Sequence, residues 1–501
     1  MPTEPIRRVV IVGGGTSGWM AAAALTRLLA ASQVSVTLVE SDDIGTIGVG
    51  EATIPAIQNF NTILGLDEAD FMRKTGATFK LGIEFTDWGG LGESYIHPFG
   101  TYGLDRPEVK FHQMWLKLRE HAADVGEISD YNLTLIAARM NRFGKAKAKG
   151  GLAASLRYAY HFDAALYARY LRAYSEARGA LRIEGLVTEI RQDEKGFVTS
   201  LVLKDGRTLD GDLFLDCSGF RGLLIEQTLK AGYVDWTQWL PCDRAVAQPC
   251  EQAGPLLPYT RSMADAAGWR WRIPLQHRVG NGYVYSSAHL DDEAAAARLR
   301  ETLDGRALAE PRFLRFKAGH RRTFWDKNVV AIGLAGGFIE PLESTSIHLV
   351  QAAVTRLMRL FPDRDVNPAL RDEFNQASRL EYEQIRDFII LHYKATKRDD
   401  TPLWRQCRDM DVPDSLKHKM ELFRDSGRIF RFKDDLFTED SWMAVMLGQG
   451  ITPVRHDPVA DSIPANDMKT AILVLRSAVM KAAQALPGHA DFIQSYCPAD
   501  L

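Results

Sequence analysis

Residues 9–12 are a short run of valine and isoleucine that meets a glycine cluster, and an alanine- and leucine-rich stretch over 17–31 follows. The run predicts a buried strand and the stretch a helix. A second β-branched run over 34–40 gives another strand, so the chain opens with a β-α-β unit, the expected start of a doubly wound α/β fold. Over 162–177, Leu166, Tyr167, Tyr170, Leu171 and Tyr174 recur at helical spacing. Alternating patterns over 181–191 and 198–203 predict strands, with Lys204-Asp205-Gly206-Arg207 as the turn that follows. Residues 213–216 and 328–333 read as buried strands, the first ending at Cys217-Ser218-Gly219 and the second in the glycine-rich run 333–337. Beyond Pro362 the pattern is helical, with amphipathic segments over 369–394, 413–425 and 468–485. No internal repeat or low-complexity linker interrupts the chain.

At 501 residues the chain exceeds the length at which one hydrophobic core stops growing, so two lobes or one interwoven pair of domains is expected. A formal net charge of -3, with no basic run, gives no footprint for nucleic acid or an anionic membrane surface. The five cysteines are scattered and never spaced as CxxC, and no histidine pair has helical ligand spacing, so no metal site is expected. No GxSxG elbow marks a serine hydrolase. The apolar run near the N-terminus is too short for a signal-peptide core and no stretch is long enough to span a bilayer. A reducing cytoplasm is the expected location.

Gly13-x-Gly15-x-x-Gly18 lies between the first strand and the first helix, where the missing Cβ atoms let a pyrophosphate approach backbone N–H groups. Thr16 and Ser17 complete this turn. Glu40, 22 positions after Gly18 at the end of the next strand, is placed to accept hydrogen bonds from a ribose and to repel a 2′-phosphate. The fingerprint does not separate FAD from NAD. Further loops at Gly48-Val49-Gly50-Glu51-Ala52-Thr53-Ile54-Pro55, Asp216-Cys217-Ser218-Gly219 and Gly333-Leu334-Ala335-Gly336 suit the more extended FAD.

With these loops, three more landmarks bear a family resemblance: Lys80 in Ala77-Thr78-Phe79-Lys80-Leu81-Gly82, the box Trp269-x-Trp271-x-Ile273-Pro274, and Glu340-Pro341-Leu342-Glu343-Ser344-Thr345-Ser346. The sequence resembles the flavin-dependent halogenases of the tryptophan halogenase family. The WxWxIP box is the most specific landmark, because it is not expected in flavin hydroxylases. The resemblance implies a monooxygenase-type FAD-binding fold in residues 1–110, 150–225 and 315–365, with a substrate-binding and helical part in 226–314 and 366–501. It implies FAD, used as FADH2 from a separate NAD(P)H-dependent flavin reductase, chloride or bromide as halide, and allows a homodimer.

In such an enzyme reduced flavin, oxygen and halide give hypohalous acid, and the resemblance implies that this acid crosses a tunnel to Lys80. A lysine ammonium can hydrogen-bond and polarise the oxidant, whereas a desolvated amine can form a haloamine; the sequence leaves both open. Glu343 matches the family carboxylate that accepts the ring proton or orients the lysine, with Ser344 beside it. Glu340 is the nearby carboxylate that also fits a turn cap. Gly333 and Leu342 fall beside the flavin loops, and Thr345 and Ser346 fall where backbone N–H groups meet the halide. Several relatives have glycine at the second position, so Ser346 departs from the pattern and alters the pocket's size. Trp269, Trp271, Ile273 and Pro274 form the wall between substrate and flavin, although alternate aromatics in a strand also fit a plain core. His97 and Phe99 are placed to sandwich an aromatic ring, with a structural loop histidine as the ordinary alternative.

The rivals are a single-component flavin monooxygenase that hydroxylates an aromatic, and a catalytically silent flavin-binding protein. Neither accounts for the tryptophan box together with Lys80. Tyrosine is absent between Tyr393 and Tyr496, so the paired tyrosines by which family members hold free tryptophan are missing. Residues 437–448 offer Trp442 and two methionines instead, as substrate walls or as a packed amphipathic helix. The expected substrate is a small, electron-rich, indole-like aromatic.

Overall fold

The computed structural model describes residues 4–43, 50–121, 124–145, 152–432 and 435–500. A six-stranded sheet runs in the order Trp325–Asp326, Val329–Ala331, Leu213–Asp216, Arg8–Val12, Ser35–Glu40, Leu181–Glu184. All its pairings are parallel except that of the edge strand Trp325–Asp326. Val9, Val10, Ile11 and Val12 are all buried, which is why this strand reads as a continuous apolar run. The helix Thr16–Leu28 lies over the sheet through the buried alanines 21–24, whose small side chains permit close packing. Gly13 takes a φ of 111°, and a Cβ there would fall 2.3 Å from the Cys217 carbonyl oxygen. Glycine is therefore required where the first strand passes the loop after Leu213–Asp216.

Strand and helix share the segment read as a helix over 162–177. Ala159–Asp163 is a strand and Ala164–Glu176 is the helix, because the Asp163 side chain accepts from the N–H groups of Ala165 and Leu166 and starts the helix there. The 181–191 reading likewise resolves into Leu181–Glu184 and Val187–Gln192, which belong to different sheets.

A second sheet of seven strands runs Arg312–Arg315, Arg244–Ala247, Val279–Tyr285, Gly268–Pro274, Thr260–Asp265, Gly82–Thr86, Ser94–Pro98. Strand Gly82–Thr86 pairs in parallel with Thr260–Asp265, so residues from 1–110 and from 226–314 share one sheet. Val279–Tyr285 is buried at every position, leaving no alternation for a sequence pattern to reveal. A small third sheet places Ala159–Asp163 between Gly50–Ala52 and Thr78–Lys80, with Glu51 opposite Phe162 and Lys80 opposite Ala159.

The C-terminal part is helical: Pro368–Lys394, Pro402–Asp409, Asp414–Ser426, Glu439–Gly448, Ala465–Gln484 and His489–Tyr496. All five cysteines are free and buried. Among the described residues no helix is long and apolar enough to cross a membrane, and no cluster of His, Cys, Asp or Glu has the makings of a metal site.

Candidate active site

A cleft of about 530 Å³ opens at the ends of the central parallel strands. Its walls include Gly13, Gly15, Thr16, Ser17, Glu40, Gly50, Glu51, Ala52, Gly333 and Leu342, so loops far apart in sequence meet on one volume. The helix Thr16–Leu28 has no side-chain N-cap, and a Cβ on Gly15 would meet nothing within 4 Å. Unpaired N–H groups beside open space are what a pyrophosphate needs. Glu40 accepts from Arg182 Nε at 2.5 Å, and its Oε2 occupies the space beside Gly14, where a Cβ would come within 1.4 Å of it. Glu51 has no ion-pair or hydrogen-bond partner among the described residues, and burial lifts its carboxyl to about 7. The donor set, the glycine cradle and the free acid fit a dinucleotide of the size of FAD. Gly18 stands apart from the cleft, since a Cβ there would lie 1.9 Å from the Gly13 carbonyl oxygen; its part is helix–strand packing. Gly48 and Val49 lie outside the described residues.

The cleft lining also includes Trp269, Trp271, Ile273, Ser344 and Ser346. Behind Ser344 sits Lys80, fully buried, with Nζ donating to Ser344 Oγ at 2.7 Å and to the Thr53 carbonyl at 2.9 Å. Phe99 presents its ring 5.3 Å from the same nitrogen. Burial drives the Lys80 ammonium down to about 7 against the opposing pull of Glu343. Ser344 adopts φ 60° and ψ 37°, a left-handed conformation that costs a non-glycine residue about 1 kcal/mol. It follows the single turn Pro341–Glu343 and precedes the helix Ser346–Arg359.

Glu343 is buried between two histidines. His97 Nδ1 lies 3.0 and 2.9 Å from its two oxygens and donates to them, while His392 Nε2 approaches Oε1 to 2.8 Å. Burial opposes ionisation, but His97 and His392 outweigh it and hold the carboxyl at about 2. His97 is brought there by pairing with Ile83 across Gly82–Thr86 and Ser94–Pro98. A buried cation near neutrality, a permanent carboxylate and a hydroxyl facing an adjacent cleft can hold an electrophile and remove a proton.

The tryptophan halogenase family model matches residues 8–465. The chain belongs to the tryptophan halogenase family. Flavin-dependent halogenation is thus its chemistry, and the flavin, the halide, a separate flavin reductase and an aromatic substrate come with it. The halogenase is 37% identical to the tryptophan 6-halogenase SttH of Streptomyces toxytricini, over 94% of this chain and 95% of that one. A flavin-dependent halogenase from Xanthomonas campestris superposes with a TM-score of 0.95 at 50% identity, covering 99% of both chains. BrvH, a flavin-dependent halogenase from Brevundimonas sp. BAL3, does so with 0.94 at 45% identity, over 98% of this chain and 99% of that one.

Other residues of the halogenase find distinct places. Pro274 lies outside the cleft wall, its carbonyl accepting from Thr78 Oγ1 at 2.8 Å. Because that hydroxyl's proton is used, His161 Nδ1 donates to Thr78 Oγ1 and His161 Nε2 accepts from Thr260, each at 2.9 Å. His161 is thereby kept neutral beside Lys80, as its strongly lowered pKa also requires, from burial first and Lys80 second. Thr345 is fully buried with Oγ1 unpaired, at the uncapped start of Ser346–Arg359. Trp442 is buried in Glu439–Gly448 against Phe388, which also meets the His97 ring at 5.6 Å. His392 was invisible to sequence reading. It stands 49 positions from Glu343 and only the packing of Pro368–Lys394 brings it near.

Proposed function

We propose that the halogenase holds FAD, as FADH2, in the glycine-lined cleft and delivers hypohalous acid past Ser344 to Lys80, for halogenation of an indole-like aromatic. One observation carries this reading: Ser344 lines the cleft and also accepts a hydrogen bond from the buried Lys80. The N–H groups at the start of Thr16–Leu28 would hold the pyrophosphate and Glu40 the ribose; Glu51 and Ala52 would flank the ring system. When bound, the reduced cofactor supplies, with oxygen and halide, the hypohalous acid.

The chain's own residues then do the rest. Thr345 and Ser346 offer halide the positive end of the helix Ser346–Arg359. Trp269 and Trp271 keep the aromatic away from the cofactor. The Lys80 ammonium donates to the oxygen of the hypohalous acid and so polarises its halogen. The ring carbon attacks the halogen and the O–X bond breaks, Lys80 passes a proton to the departing oxygen so that it leaves as water, and the Glu343 carboxylate takes the ring proton, which restores the proton balance when it returns to Lys80. His97, Phe99 and Trp442 are assigned to the substrate side. Indole is favoured over free tryptophan because residues 394–495 contain no tyrosine pair to hold an amino-acid zwitterion.

The flavin part is built mainly from 1–110, 150–225 and 315–365 and the substrate part mainly from 226–314 and 366–501, with Trp269, Trp271 and Ile273 of the second lining the flavin cleft and Lys80, His97 and Phe99 of the first reaching the substrate side. Five free buried cysteines accord with a reducing cytoplasm. The test is product analysis with indole, halide, FAD, NADH and an added reductase. Halogenated indole supports the reading, and hydroxylated indole without halogen contradicts it.

A further inference from the structure

Glu340 is fully buried and has no cationic partner among the described residues. Its Oε2 accepts from Trp269 Nε1 and from the Tyr393 hydroxyl, each at 2.7 Å, while Oε1 has no partner. Leaving a carboxyl buried without a counter-ion is costly, and an apolar residue would fill the site more cheaply. Burial lifts it to about 7 against the pull of those two donors. It is therefore no turn cap on the surface. Trp269 belongs to the wall of the flavin cleft, and its indole is the group that Glu340 fixes.

The surroundings tie this clamp to the reacting residues. Glu340 and Glu343 stand at either end of one short turn, and the consecutive helical residues His392 and Tyr393 reach them in parallel, His392 to Glu343 and Tyr393 to Glu340. Trp88 packs edge-on to Tyr393 at 5.3 Å and lies 6.3 Å from Trp269, closing the indole in from behind. An indole held by packing alone can swing; one held by a buried acceptor cannot do so without leaving its N–H unpaired.

We propose that Glu340, with Tyr393 behind it, is a positioning residue that locks Trp269 in the wall of the flavin cleft, so that the oxidant leaves past Ser344 to Lys80 and does not escape. The inference rests on the proposed delivery of hypohalous acid. Its test compares oxidant trapped on indole with oxidant captured by a freely diffusing 1,3-diketone scavenger, per flavin oxidised. The wild type, Glu340→Leu, Tyr393→Phe and Glu340→Gln are each supplied with reductase and bromide.

Glu340→Leu should shift the ratio of scavenger to indole product upward by about fivefold, the effect of one neutral hydrogen bond, and Tyr393→Phe by less. Glu340→Gln keeps a carbonyl acceptor and should stay near wild type. A merely structural role would lower thermal stability and both products together, leaving the ratio still. An unchanged ratio in Tyr393→Phe and Glu340→Leu overturns the inference; if the leucine variant does not fold, Tyr393→Phe decides alone. A wild type that modifies neither trap overturns the delivery reading itself.

Discussion

Lys80 Nζ donates to Ser344 Oγ across 2.7 Å, although 264 positions separate the two in the chain. The contact depends on a strained left-handed turn at Ser344 and on a strand, Thr78–Lys80, anchored through Ala159. It reaches through the wall of the cleft: Ser344 lines the cleft, whereas the buried Lys80 lies outside its lining. On the proposed delivery route an oxidant leaving the cleft meets the hydroxyl first and the ammonium next.

Glu343→Gln should lower halogenation by about 10²–10⁴-fold, the range for loss of a positioned base, with flavin affinity nearly intact. Glu343 takes no part in the cleft wall, and neither do its neighbours His97 and His392. Single-turnover product formation beside a flavin titration checks both halves. A variant that halogenates at the wild-type rate removes Glu343 as the base.

Lys80 should also write itself into stability. Its pKa falls from the ordinary 10.5 to about 7 on folding, so between those values the unfolded chain binds more protons and stability rises with pH. Lys80→Met removes that slope. Denaturant midpoints should show the methionine variant gaining on wild type most at or below pH 7, with the gain shrinking as pH approaches 10. A gain that does not vary with pH places Lys80 in water rather than in the core.

Indole should be halogenated better than free L-tryptophan, at C3, where the ring is most electron-rich and nothing imposes another orientation. A zwitterion buried without partners costs at least a few kcal/mol. Ser346, in place of a smaller residue, leads to bromide serving at least as well as chloride. Competition between the two substrates with each halide, read by product mass and NMR, checks this. Efficient chlorination of tryptophan at one benzo-ring carbon would require a clamp for the amino-acid group and defeats the prediction.

The purified protein should consume NADH no faster with indole present than without it, until a flavin reductase is added. Among the described residues one strand–glycine–helix unit is present for a dinucleotide, and the cleft it opens is assigned to FAD. Substrate-stimulated NADH oxidation in the absence of reductase would assign the chain to single-component monooxygenase chemistry.

What the sequence made legible was local. The first strand, the glycine turn, the helix and Glu40 follow from short-range spacing, and the C-terminal helices from long amphipathic periods. Asp163 defeated the helical reading at its start because a capping carboxylate ended the strand inside the periodic stretch. The seven-stranded sheet was harder, since strands buried on both faces carry no alternation. Lys80 and Glu343 were picked out by family resemblance alone, because no local rule relates positions so far apart. His392 and the clamp of Glu340 by Tyr393 emerge only when Pro368–Lys394 packs against the turn Pro341–Glu343.

The central claim is that Lys80 is obligatory for transfer of the halogen. Lys80→Ala, supplied with reductase, FAD, bromide and indole, is the most direct test, with flavin binding and NADH oxidation by the reductase followed in the same sample. Bromoindole formation should fall by roughly three orders of magnitude or more, the loss of a preorganised charge at the reacting atom, while flavin binding stays near wild type. Bromoindole formed at most of the wild-type rate would contradict the account.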